Sequence, residues 1–121
     1  MTAIVKDEEH ILSLFEAYFF TVSKLVHTTA REKGWWDNER NHGEMLALIH
    51  SEVSEALEAL RAGNPPDDKI PAFSGAEAEL ADVVIRIMDM AEGFKWDVGG
   101  AIVAKLRMNR ERERMHGGKK F

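Results

Sequence analysis

An all-α, four-helix bundle is the fold this sequence predicts, and three observations lead to it. Apolar residues recur every three or four positions along four segments. No run alternates polar with apolar, and the β-branched residues fall inside the longer helical patterns. Capping residues, glycines and prolines punctuate the segments and leave connections short enough for neighbouring helices to pack. With 121 residues, 45% apolar and 31% charged, the chain suffices for one compact domain (1–121) with a hydrophobic core and is too short for two ordinary ones.

The first helix is expected over roughly Asp7 to Lys33, where Ile11, Leu14, Phe15, Tyr18, Val22, Leu25 and Val26 keep helical spacing until Gly34 interrupts. "GWWDNERNHG" follows as an irregular connection. The second helix runs from about Glu44 to Arg61, with Gly63 as its C-terminal cap and "NPPDD" forbidding continuation. The third begins at Ser74, whose hydroxyl caps the first turn while Glu77 completes a capping box, and ends near Gly93. The fourth starts after the N-cap Asp97 and carries Ile102, Val103, Leu106 and Met108 until charge takes over near Glu111. The wide apolar face of the first helix, including Phe15, Phe19 and Phe20, exceeds what one small bundle covers and predicts a homodimer or a dimer of dimers.

Composition narrows the function. No stretch approaches the ~20 apolar residues of a membrane span, and "MTAIVKDEEH" lacks the basic-then-apolar order of a signal peptide, so a cytoplasmic protein without membrane contact is expected. The chain has no cysteine, which excludes disulfides, thiolate metal sites and cysteine nucleophiles; any metal must be held by oxygen or imidazole. A net charge of −5 gives no general reason to bind nucleic acid, and the basic C-terminal "KLRMNRERERMHGGKK" reads as a solvated helix end.

Two pairs of carboxylates stand out. Residues three apart on a helix share a face, so Glu52 and Glu55 point one way, and Glu79 and Asp82 repeat the spacing among Leu80, Val83, Val84 and Ile87. Asp89, seven residues beyond Asp82, returns to nearly the same direction, with Arg86 between them. Glutamates so spaced are common on exposed faces, where they pair with Lys or Arg a turn away. If the pairs instead lie inside the apolar faces, their repulsion and desolvation need compensation. A hard divalent cation is the simplest agent, Mg²⁺ before Mn²⁺ for an all-oxygen donor set. Spacing alone leaves both readings open.

Glu52-x-x-Glu55 followed after a loop by Glu79-x-x-Asp82 resembles the signature of the MazG-like, all-α nucleoside triphosphate pyrophosphohydrolases. "GWWDNERNHGEMLALIHSEVSEALEALR", "FSGAEAELADVVIRIMD", Lys105 with Asn109, and the closing "HGGKKF" extend the likeness over roughly Gly34 to Phe121. The resemblance implies a helical bundle, at least dimeric, that hydrolyses a nucleoside or deoxynucleoside triphosphate between the α and β phosphates, giving a monophosphate and pyrophosphate. It implies Mg²⁺ held by Glu52, Glu55, Glu79 and Asp82, with Glu52 or Glu55 accepting a proton from the attacking water. Many members carry a further Glu where this chain has Ser51. Lys105 and Asn109, four apart on one face, look like phosphate and sugar contacts, and Arg112 extends that stripe. Of the adjacent tryptophans, one is expected to plug the core and Trp36 to stack on a base. Base and sugar preference stay open.

Two other readings compete. A di-iron bundle needs Glu-x-x-His on two helices. "ERNH" (Glu39 to His42) and "ERMH" (Glu113 to His116) have the spacing, but neither sits on an apolar face. The other is a helical dimerisation or adaptor module without turnover, although nothing in the acidic set looks broken.

Overall fold

A computed structural model describes residues 2–111, with side chains from Asp7 onward. It is all-helical: α1 (Thr2–Glu32), α2 (His42–Arg61), α3 (Gly75–Phe94) and α4 (Val98–Glu111). Among the described residues there is no strand, only an isolated bridge between Pro66 and Ser74. No helix among them is long and apolar enough to cross a membrane.

The helix ends follow from local chemistry. Asn41 caps α2 by accepting from the Glu44 amide at 3.0 Å, so the helix begins at His42, two residues before the expected start. Ser74 and Glu77 form the capping box anticipated for α3, and Asp97 Oδ1 accepts from the Gly100 amide at the start of α4. Three helices close in the same way, with a left-handed residue just past the end and two backward amide bonds. At Gly34 (φ 86°) the pair is Gly34 N–H to Arg31 and Trp35 N–H to Ala30; at Gly63 (φ 88°) it is Gly63 to Leu60 and Asn64 to Ala59. Lys95 adopts φ 60° at the end of α3, with Lys95 N–H to Glu92 and Trp96 N–H to Ala91. A lysine there gives no sequence signal for the stop, which is why α3 runs one residue past Gly93. α1, in turn, begins at Thr2 rather than near Asp7.

The chain divides into two compact units, one of residues 1–22 and 97–121, the other of residues 23–96. In the first, α4 runs antiparallel to the early part of α1. A Cβ on Gly99 would come within 3.0 Å of the Phe19 ring, so glycine lets the helices approach closely there. Val103 is 1% exposed, and Arg107 reaches Glu9 with two hydrogen bonds of 3.2 and 2.6 Å.

In the second unit α2 and α3 are the closely packed pair. Met45, Ile49, Glu52, Ala56 and Ala59 are the covered positions of α2, spaced four and three apart, which is the seam expected of antiparallel helices. Ala59 and Gly75 meet so closely that a Cβ on Gly75 would stand 3.0 Å from that of Ala59. The loop between them is tied down: Gly75 N–H donates to Pro65, Asp67 N–H to Phe73, and Ala76 N–H to the Asn64 side chain. A second face of α2 (Leu46, Val53, Leu57, Leu60) is apolar and exposed.

Candidate functional site

The α2–α3 seam brings three of the four predicted ligands together. Glu52, Glu55 and Glu79 each place a carboxylate oxygen within 4.8 Å of the others. Glu52 is buried, Glu79 half-buried and Glu55 exposed, so the cluster opens to solvent on the Glu55 side. Asp82 is exposed one turn along α3, outside that tight group but near enough for Glu52 and Glu55 to act on its charge.

The electrostatics follow from this geometry. The facing carboxylates of Glu52 and Glu55, together with desolvation, push the Glu79 pKa up to about 7, the Glu52 contact contributing most. Two carboxylates can bond each other only if one keeps a proton, and Glu79 Oε2 is buried without any hydrogen-bond donor. Asp82 is also raised, by desolvation first and then by Glu52, with Arg86 opposing and Asp67 and Glu55 reinforcing. Asp67 belongs to the loop before α3, where it also accepts from the Lys69 and Ile70 amides. The only nearby cation in these causes is Arg86, whose Nε and Nη2 lie 3.2 and 3.1 Å from Glu52 Oε1. The guanidinium is hydrogen-bonded to Glu52 and also acts on the charge of Asp82, whereas the charged groups acting on Glu79 among the described residues are the acids Glu52 and Glu55. An orphaned, buried carboxylate oxygen within an all-oxygen group fits a hard divalent cation.

Of these acids, Glu52 and Asp82 border a cavity of about 350 Å³ within the 23–96 unit. Three helices supply most of its wall in registers of three, four and seven: Val26, Thr29 and Ala30 from α1, with Lys33 just past its end, Met45, Leu48 and Glu52 from α2, and Asp82, Ile85, Arg86 and Asp89 from α3. Trp35 and Arg40 complete it from the connection. The Arg86 guanidinium lies 5.5 Å from the Trp35 ring centroid, so it is shared between an aromatic face and a carboxylate.

Trp36, the expected base platform, is half-buried and does not line this cavity. Its Nε1–H donates to both oxygens of Asp89, at 3.0 and 3.1 Å, and its ring packs edge-on against His27 and Phe94. A Cβ on Gly93 would lie 2.3 Å from the Trp36 ring, so the indole occupies a notch cut by glycine. Trp36 thus packs against α3 and lines a separate cavity of about 360 Å³ with Thr28, Arg31, Glu32 and Asp37, while Trp35, 51% exposed, is the tryptophan that borders the cavity beside Glu52 and Asp82. Sequence could not choose between two adjacent tryptophans, because the turn at Gly34 decides which one points inward.

Lys105 and Asn109 share a face of α4 and are both exposed, in the other unit. Arg112 lies outside the described residues. His42, the histidine of "ERNH", opens α2, stacks on Trp96 and packs at a tilt against Phe94. Sequence reasoning missed the contact of His27 with Asp89, 2.8 Å from Nδ1 to Oδ1. The signal for Asp89 was present, two helical turns beyond Asp82, but nothing local marks His27 as its partner. No family model, curated protein or solved structure matches the chain.

Proposed function

We propose that this chain is a Mg²⁺-dependent nucleoside triphosphate pyrophosphohydrolase of the MazG-like four-helix type. The observation that carries the reading is the convergence of Glu52, Glu55 and Glu79 beside a cavity walled by an indole. Glu52, Glu55, Glu79 and Asp82 would hold the cation. When bound, it neutralises phosphate oxygens and helps orient a water, the two requirements for cleaving a phosphoanhydride.

The chain's own residues divide the remaining work. Trp35 offers a face on which a base stacks, with Met45, Leu48 and Ile85 closing the apolar part of the cavity. Arg86 engages Glu52 Oε1 from Nε and Nη2 and so fixes the direction of that carboxylate, which suits Glu52 to the role of ligand. Glu55, exposed at the open side of the cluster, takes the proton from water as the water oxygen attacks the α phosphorus and pyrophosphate leaves. Lys105 and Asn109 keep the phosphate and sugar roles the resemblance implies.

The test is a panel of common and damaged triphosphates with Mg²⁺, scored by pyrophosphate rather than phosphate release. Glu55→Gln should abolish turnover and reduce the Mg²⁺-dependent rise in melting temperature, while the metal-free melting temperature holds or rises. A Glu55→Gln protein that still turns over, or that melts far below the metal-free parent, makes Glu55 a surface acid of the fold.

A further inference from the structure

The cavity is polar in an uneven way. At one end stand Glu52 and Asp82; two helical turns along α3, about 10 Å at 1.5 Å per residue, stands Asp89. Asp89 is 7% exposed, yet it lines the cavity. Its two oxygens are not equally satisfied. Oδ1 accepts from His27 Nδ1–H at 2.8 Å and from Trp36 Nε1–H at 3.0 Å, whereas Oδ2 has only the shared Trp36 hydrogen at 3.1 Å. An ionised carboxylate offers about four lone-pair sites, so Oδ2 retains capacity for another donor.

None of the other donors lining the cavity is hydrogen-bonded to Asp89. Arg86 spends Nε and Nη2 on Glu52, and Thr29 donates its hydroxyl hydrogen to the Leu25 carbonyl. Arg40 donates to the Trp35 carbonyl. Lys33 is exposed, placed to meet solvent or an anion. The buried end of the cavity therefore presents an acceptor to whatever lies against Trp35.

We propose that Asp89, held by His27 and Trp36, selects a base bearing an exocyclic amino group, and so favours cytosine over uracil; this rests on the nucleotide reading of the cavity above. An amino N–H directed at Oδ2 makes a charge-assisted hydrogen bond in a desolvated place. Uracil puts a carbonyl oxygen where cytosine has the amino group, and its single ring N–H is flanked by carbonyls on both sides. A carboxylate meeting that edge faces lone pairs, and a buried polar group left unpaired is the strong form of discrimination. His27 and Trp36 are positioning residues here: their two N–H groups fix the orientation of the carboxylate.

The measurement is calorimetric binding of dCMP and dUMP to the full chain, which needs no turnover. The nucleotide of 2-pyrimidinone, with hydrogen in place of the amino group, serves as a third ligand. dCMP should bind at least about tenfold more tightly than either of the others. Asp89→Asn, checked for folding by circular dichroism, should bring dCMP and dUMP within about threefold. A dCMP preference below tenfold in the parent, or no binding of any of the three, overturns the proposal, as does a folded Asp89→Asn protein that keeps the preference. Should that variant not fold, the 2-pyrimidinone nucleotide decides: binding as tight as dCMP overturns the proposal, and binding as weak as dUMP supports it. Failure of the hydrolase reading registers separately, as absent pyrophosphate release from both dCTP and dUTP, and leaves the binding ratio to judge Asp89.

Discussion

Replacing Glu79 by Gln should stabilise the metal-free protein at alkaline pH and leave it unchanged at acid pH. In the folded chain Glu79 holds its proton up to about pH 7, whereas the unfolded chain releases it near 4.5. Between those values the native state binds more protons than the unfolded state, so this group's contribution to stability is full below pH 4.5. It falls as pH rises toward 7 and is flat beyond. At about 1.4 kcal/mol per pKa unit the full displacement corresponds to roughly 3 kcal/mol. The cluster opens to solvent at Glu55, and screening there reduces the figure to about 1–2 kcal/mol. For a chain of this size that is on the order of 5 °C in melting temperature. Gln mimics the protonated acid, and its amide can donate to Glu52 or Glu55. In EDTA, Glu79→Gln should melt about 5 °C above the parent at pH 8 and level with it at pH 5, by circular dichroism. Because both proteins share every titrating group outside the cluster, the difference reports the mutual repulsion of Glu79 with Glu52 and Glu55. An offset that is absent at pH 8, or equal at both pH values, refutes the reasoning about mutual repulsion.

Gly93→Ala should cost about 1–3 kcal/mol in urea unfolding, because its Cβ would enter the Trp36 ring; wild-type stability would mean that the indole does not fill the notch. Lys105→Ala should lower kcat/KM for a triphosphate about tenfold or more with an unchanged melting temperature, since the side chain is exposed. A change under twofold removes Lys105 from phosphate contact. We also expect a homodimer or dimer of dimers, given Leu46, Val53, Leu57 and Leu60 exposed along one face of α2. Sedimentation at micromolar concentration that shows only a 13.7 kDa species counts against it.

The helices were legible because their signals are local. Ser74 with Glu77, Asp97, and Gly63 before two prolines each state a boundary within a few residues, and α2 ends at Arg61 as read. Lys95 hides its boundary, since a left-handed lysine is defined by its backbone and not by its type. The acidic cluster was partly legible. Three-residue spacing puts Glu52 with Glu55, but that Glu79 joins them while Asp82 stands aside depends on the offset between two antiparallel helices. That offset is set by contacts such as Ala59 against Gly75, which leave no periodic trace. Which of Trp35 and Trp36 borders which cavity was hidden for a similar reason: a single turn about Gly34 decides their directions.

The guanidinium of Arg86, lying between Glu52 and the ring of Trp35, also gives the protein an optical signal of its own. The three tryptophans occupy distinct settings: Trp35 half in solvent beneath a cation, Trp36 packed beside His27 and anchored to Asp89, Trp96 stacked against His42. The proposed divalent ion at Glu52 would compete with Arg86 for the same oxygen, and a displaced guanidinium would change the field across one indole out of three. Emission from that indole should then follow cation arrival without any label, and a planar ligand stacked on the same ring should quench it in a second, separable step.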